Sequence, residues 1–173
     1  MANIKHAVVG TDGMAGTINP VYLKHVVFYK DGSPAAIDNG NIVAIGDAIG
    51  PEIYKAEAPS ATTKRYMLAL VAGVELFYDE TRTHYLPEWE NEADKPVRVY
   101  LMVPPADSFR VTAEAFDGVP QKGKFVAFAA NSTKLKIEDS ESADNVFGVI
   151  KHDPVKVGFG DGQYTYYIVD VIA

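Results

Sequence analysis

The densest set of potential ligands lies in residues 79–96, DETRTHYLPEWENEADKP, which hold six acids, one histidine and one arginine ahead of Lys95. His84, Glu88, Glu90, Glu92 and Asp94 offer carboxylate oxygens of the kind calcium and magnesium take, and an imidazole of the kind zinc takes. Their spacing does not fit an EF-hand, which needs acids at fixed positions around a central glycine. An acid-rich stretch is usually just solvated. The expectation is an exposed surface loop, punctuated by Pro87 and Pro96, with no metal site and no cofactor.

Other catalytic constellations fail on context. Serine, histidine and aspartate are all present, but no Gly-x-Ser-x-Gly elbow occurs. Ser60, Ser108, Ser132, Ser140 and Ser142 sit in polar, turn-like surroundings. The glycines of VGTDGMAG (Val9–Gly16) lack a Lys-Ser/Thr pair and a following helix, so they make no phosphate loop. Glu138, Asp139 and Glu141 read as a solvated loop. There is no cysteine, which excludes disulfides, thiolate metal sites and thiol nucleophiles. The chain is therefore expected not to be an enzyme. Trp89, the only tryptophan, stands in the acidic stretch near Tyr78, Tyr85 and Leu86. Aromatic side chains among charges supply interface area, or fold back as a lid over their own core. Both readings stay open.

The elements that would position these residues are strands. Phe109, Val111, Ala113 and Ala115 alternate with Arg110, Thr112, Glu114 and Phe116, the period of a strand with one wet face. Asp117-Gly118 is a turn, Phe125–Ala130 is a second strand, Asn131-Ser132-Thr133 turns the chain, and Leu135 and Ile137 return it. Upstream, strands are expected at Val21–Tyr29, Ile42–Ile45, Ile53–Ala56 and Val97–Val103, with a turn over Lys30–Pro34. Tyr66–Tyr78 is read as two strands kinked at Ala72-Gly73. Downstream, Val146–Ile150 is followed by Val155–Phe159 and Gln163–Ile172, joined as a hairpin by Asp161-Gly162.

Two stretches echo each other. FYKDGSPAAIDNGNIVAIG (Phe28–Gly46) and AFDGVPQKGKFVAFA (Ala115–Ala129) share an aromatic, Asp-Gly, proline and a glycine-led apolar strand. Tyr66–Glu80 is similarly echoed by Val146–Gly162. Either a β unit is duplicated, or short strands with glycine turns resemble one another by composition alone. The expected fold is mainly β: a β-sandwich, or two small β-barrel subdomains, over residues 20–103 and 104–173. Residues 1–19, with three glycines and no aromatic, are expected to form an extended N-terminal arm. Either the arm stays loose, or its Ile4, Val8 and Val9 add a strand to a partner's sheet.

Composition sets outer bounds. A chain of 173 residues, 47% hydrophobic and 23% charged, is globular and long enough to bury a core without staples. A net charge of −7 with dispersed lysines makes a poor nucleic-acid binder. The opening MANIKHAVVGTDG has no long apolar core, so no signal peptide is expected. No run of eighteen apolar residues occurs, so no membrane span is expected.

VTAEAFDG, the Gly-Lys bounded strand KGKFVAF, a KL return and FGVI together resemble the decoration or cement proteins of tailed-phage heads, most clearly from about Asn39 to the C-terminus. The resemblance implies a structural virion protein on the outer surface of an assembled capsid, made in the host cytoplasm. Its partner would be the major capsid protein, whose neighbouring subunits it would fasten. It would form a homo-oligomer, often a trimer. Several weak contacts acting together would resist separation of the shell subunits. Candidate interface residues are Ile4, Val8 and Val9 of the arm, and Tyr85 and Trp89 of the acidic stretch. The rivals are a tail-tube or baseplate β component, and a carbohydrate-binding β-sandwich that would use Tyr85 and Trp89.

Overall fold

The computed structural model describes residues 6–75, 86–158 and 163–172. The architecture is mainly β. Its first half carries β1 (Val9–Gly10), β2 (Leu23–Lys30), β3 (Ser33–Pro34), β4 (Ile42–Gly50), β5 (Ile53–Glu57), β6 (Leu68–Val71) and β7 (Val97–Leu101). The second carries β8 (Ser108–Thr112), β9 (Phe116–Asp117), β10 (Phe125–Phe128), β11 (Leu135–Glu138), β12 (Val146–Val149), β13 (Val155–Val157) and β14 (Tyr164–Val171).

In the first half the pairings β2–β5–β4–β6–β7 return to β2, which closes a small barrel. Closure works because β2 is long enough to serve two partners. Leu23–Val26 runs antiparallel to β7, and His25–Phe28 runs parallel to β5. The barrel interior holds Val26, Phe28, Val43, Ala56, Ala69, Val71, Val97 and Val99. Alanines among the valines suit so narrow a lumen. The opposite faces of β4, β6 and β7 send Ile42, Leu68, Leu70 and Tyr100 into a second core, shared with Phe109, Val126, Leu135 and Phe147 of the other half. That explains why LALV reads as an unbroken apolar run and does not alternate: all four residues of β6 are buried, on two different faces.

The second half repeats this plan. A single 3-10 turn, Ala113–Ala115, splits one strand into β8 and β9, and the pair does the work of β2. β8 runs antiparallel to β14, and β9 parallel to β11. β10 lies between β11 and β12, as β4 lies between β5 and β6. β12 meets β14 antiparallel, as β6 meets β7. Register agrees as well as order. Gly40 N–H donates to Val71 O at 2.8 Å and Val71 N–H to Asn41 O at 2.8 Å. Gly123 N–H donates to Ile150 O at 2.7 Å and Ile150 N–H to Lys124 O at 2.9 Å. Phe28 sits opposite Ala56 and Phe116 opposite Leu135, and each phenylalanine leads into an Asp-Gly turn. The echo between Phe28–Gly46 and Ala115–Ala129 is therefore a repeat of architecture. Shared composition does not fix strand order, direction and register together.

Several sequence expectations change in detail. β4 runs through Gly46 to Gly50, longer than Ile42–Ile45. The alternating stretch Phe109–Phe116 is not one strand, because the chain makes the 3-10 turn at Ala113–Ala115. Within Tyr66–Tyr78, Arg65–Met67 is a 3-10 turn and Leu68–Val71 is the strand; residues 76–78 lie outside the described residues. β13 and β14 pair antiparallel, Val155 against Tyr166, while Asp161-Gly162 lies outside the described residues.

The largest correction concerns the N-terminus. Residues 6–19 are not an extended arm. Ala7, Val8 and Met14 are at most 2% exposed, and Ala7 and Met14 belong to the shared core. β1 pairs with β8, Val9 against Val111 and Gly10 against Arg110. A short helix follows at Ala15–Ile18. The three glycines permit close approach and do not make the segment loose. A Cβ on Gly13 would lie 2.7 Å from the Ser108 carbonyl oxygen, and one on Gly16 2.7 Å from the Tyr100 ring. Asp107, 1% exposed, fixes the segment: its carboxylate accepts Ala15 N–H at 2.7 Å and Val103 N–H at 2.8 Å. The strand addition expected toward a partner is made inside the chain itself.

Candidate functional site

A groove of about 660 Å³ opens where the end of β2 (Phe28–Lys30) and the strand-to-loop passage Glu57–Ser60 face the turn Asn131–Lys134 of the second barrel. Main-chain bonds fix this juncture: Ile42 N–H donates to Thr133 O and Asn131 N–H to Pro59 O, both at 2.8 Å. Asp38, Asn41 and Glu90 also line the groove.

A buried amide network holds the end of the acidic stretch in place. Ile37 and Asn91 exchange main-chain hydrogen bonds of 3.0 and 3.1 Å. The Asn91 side chain donates to Ile37 O and to Asn39 Oδ1, each at 2.9 Å. Asn39 Oδ1 also accepts Gly73 N–H at 2.8 Å, and Asn39 Nδ2 donates to Glu75 Oε1 at 3.0 Å. Asn39 and Asn91 are both buried, so the two bonds from the Asn91 side chain are made out of reach of water. Burial raises the Glu75 carboxyl above the ordinary 4.5, while the Asn39 hydrogen bond pulls the other way.

Beside this network stand His6, Asp38 and Glu90. His6 Nδ1 lies 2.6 Å from Asp38 Oδ1. One potential ligand atom from each of the three residues lies within 4.8 Å of the others. His6 N–H donates to Pro87 O at 3.0 Å, which ties the N-terminal segment to the stretch that carries Glu90.

The interface residues expected from sequence are not brought together. Val8 is buried, and its main chain is used internally: Val8 N–H donates to Thr112 Oγ1 and Thr112 N–H to Val8 O, both at 3.1 Å. That removes Val8 from any surface role. Val9 is half-buried in β1. Trp89 is half-buried, with its indole N–H 3.3 Å from Asn91 Oδ1. Ile4 and Tyr85 lie outside the described residues, as do His84 and residues 79–83. Of the rest of the acidic stretch, Pro87 and Asn91 are buried while residues 92–96 are exposed. Sequence reasoning missed His6, Asp38, Asn39 and Asn91; only Glu90 carried a signal, as one acid among several.

Ser60 bonds the hydroxyls of Thr62 and Thr63 at 3.1 Å, Ser140 that of Ser142 at 2.8 Å, and Ser132 Oγ accepts Lys134 N–H at 3.2 Å. Large apolar side chains stand in solvent on separate elements: Ile18 is 87% exposed, Tyr66 78%, Val119 70% and Val21 65%. Among the described residues no helix is long and apolar enough to cross a membrane. Set against protein-family models, curated proteins and solved structures, the chain matches none.

Proposed function

We propose that this chain is a structural virion protein which binds the outer surface of an assembled tailed-phage head and fastens neighbouring major capsid subunits. The observation that carries the reading is the repeat. Two barrels of the same strand order and register are joined through one core, so the chain presents one barrel plan twice on a single body. A shell presents the same subunit surface many times over. A body with two related faces can hold two neighbouring subunits at once, and the second contact forms at high effective concentration. The exposed Ile18, Val21, Tyr66 and Val119 supply apolar area on different elements for such contacts. The segments that carry the resemblance to decoration proteins, VTAEAFDG, KGKFVAF and FGVI, build β8, β9, β10 and β12 of the second barrel. A homo-oligomer, such as a trimer on a threefold position, would multiply the contacts further.

Co-sedimentation tests the reading. The protein should pellet with assembled heads and stay in solution with unassembled capsid protein. Self-assembly into rings or tubes without heads would favour a tail component and overturn the decoration reading. So would equal binding to assembled and unassembled capsid protein.

A further inference from the structure

We propose that His6, Asp38 and Glu90 form a binding site for a divalent transition-metal ion of the zinc class. The donor set is one imidazole and two carboxylates, a combination that suits zinc with water in the remaining position. Donor atoms bound tetrahedrally to one zinc ion at about 2.0–2.2 Å lie about 3.3–3.6 Å apart. The three donors already lie within 4.8 Å of one another, so the widest separation has to close by no more than about 1.5 Å, the reach of a side-chain rotation, to complete the shell. The 2.6 Å contact between His6 Nδ1 and Asp38 Oδ1 opens by about 0.7–1.0 Å as one hydrogen bond is exchanged for two bonds to the ion.

The ligands come from three distant segments, and each is held by its neighbours. Asp38 stands between Ile37 and Asn39, and both bond Asn91. Glu90 directly precedes Asn91, and the His6 main chain is tied to Pro87. The main chains of the three segments are thus fixed before the ion arrives. Charge points the same way. One imidazole and two carboxylates converging on one point are the donors that a dication takes. A second, independent observation lies alongside. Asn41 is 4% exposed, lines the same groove, and donates its amide to Asp38 O at 3.2 Å, yet its Oδ1 has no hydrogen-bond partner. A buried acceptor left open in the groove that Asp38 and Glu90 also line is one that a metal-bound water would satisfy. The ion would pin the N-terminal segment, the β3–β4 connection and residues 86–91 together.

Equilibrium dialysis of the full chain against Zn²⁺, with Mg²⁺ as comparison, tests the site. One equivalent of Zn²⁺ should bind, more tightly than Mg²⁺, and the melting temperature should climb with zinc concentration. Glu90→Gln alters an exposed side chain and leaves the fold intact; it should weaken zinc binding by more than about tenfold, since even outer-shell partners are worth that much. Asp38→Asn should do the same. Absence of zinc binding at millimolar concentration overturns the proposal. Undiminished binding by both variants also overturns it, because the ion would then sit at other histidines such as His25 or His152.

Discussion

Asn91 donates its side-chain amide to Oδ1 of Asn39 at 2.9 Å across 52 residues of sequence, with both side chains buried. Gly73 completes the arrangement from a third segment, since its N–H shares the same acceptor. A Cβ on Gly73 would lie 2.1 Å from Asn91 Oδ1, so only glycine lets the asparagine in. Asn91→Ala removes one of the two hydrogen bonds that Ile37 O and Asn39 Oδ1 each accept, and leaves each with one main-chain N–H. Two lost hydrogen bonds at about 0.5–1.5 kcal/mol each predict a loss of about 1–3 kcal/mol for Asn91→Ala, which urea titration should show. A double-mutant cycle with Asn39→Ala should return a coupling of at least about 0.5 kcal/mol. Additive losses would mean the two amides do not act as a unit.

Glu75 sits at the edge of this network, and its effect on stability has a definite sign. Burial raises its folded-state value above the ordinary 4.5. Below 4.5 the carboxyl is protonated in both folded and unfolded chains, and the shift has no effect. As pH rises above 4.5 the unfolded chain releases its proton first, so stability falls through the window up to the raised folded value. Glu75→Gln keeps an acceptor for Asn39 Nδ2 and carries no charge. It should raise the melting temperature at neutral pH and match the parent protein in acid. A variant less stable than the parent at pH 7 would show that the ionised carboxylate is favoured where it stands.

Legibility of the sequence followed the range of the forces involved. Alternation in β7 and the Asp-Gly turns after Phe28 and Phe116 are local, and they stood out. The repeat was visible as an echo because Gly40 and Gly123 meet the same backbone demand, φ of +79° and +87°. What stayed hidden depends on distant neighbours. Gly10, Gly13 and Gly16 look like slack until Arg110, Ser108 and Tyr100 are packed against them. Asn39 and Asn91 have the composition of turn residues, and nothing local says that they meet in the interior. His6, Asp38 and Glu90 come from three segments with no shared spacing. The acids in residues 79–96 drew attention instead, because they are close in sequence.

The packed N-terminal segment reverses what a loose arm would do. Met14 is 1% exposed within the shared core, so Met14→Ala should cost about 2–5 kcal/mol. Asp107→Asn keeps one acceptor but turns an amide donor toward a main-chain N–H, and should cost about 1–3 kcal/mol. Deleting residues 1–19 should lower the melting temperature sharply or prevent folding, because it uncovers β8 and opens the core. An unchanged melting temperature after that deletion would restore the arm.

The repeat also supplies a matched pair of substitutions that separates backbone strain from crowding. Gly40 and Gly123 hold equivalent positions, both at positive φ, and each donates its N–H to the carbonyl of the equivalent residue, Val71 or Ile150. Alanine at either carries the penalty for an L-residue in the left-handed region, about 1–2 kcal/mol. Their surroundings differ. A Cβ at Gly123 meets nothing within 4 Å, whereas one at Gly40 would lie 2.7 Å from Val111 Cγ2, 3.2 Å from Ala115 Cβ and 3.3 Å from Ala7 Cβ. Those three atoms belong to the shared core, so relief requires moving the second barrel and the N-terminal segment together. Overpacking a core of this kind adds about 1–3 kcal/mol. Gly40→Ala should therefore be clearly more destabilising than Gly123→Ala in paired chemical denaturation. If the two losses are equal, backbone conformation accounts for both, and the junction of the barrels is looser than these distances imply. If Gly40→Ala alone is severe, further substitution at Ala7 or Ala115 by glycine should recover part of the loss, by making room at the junction.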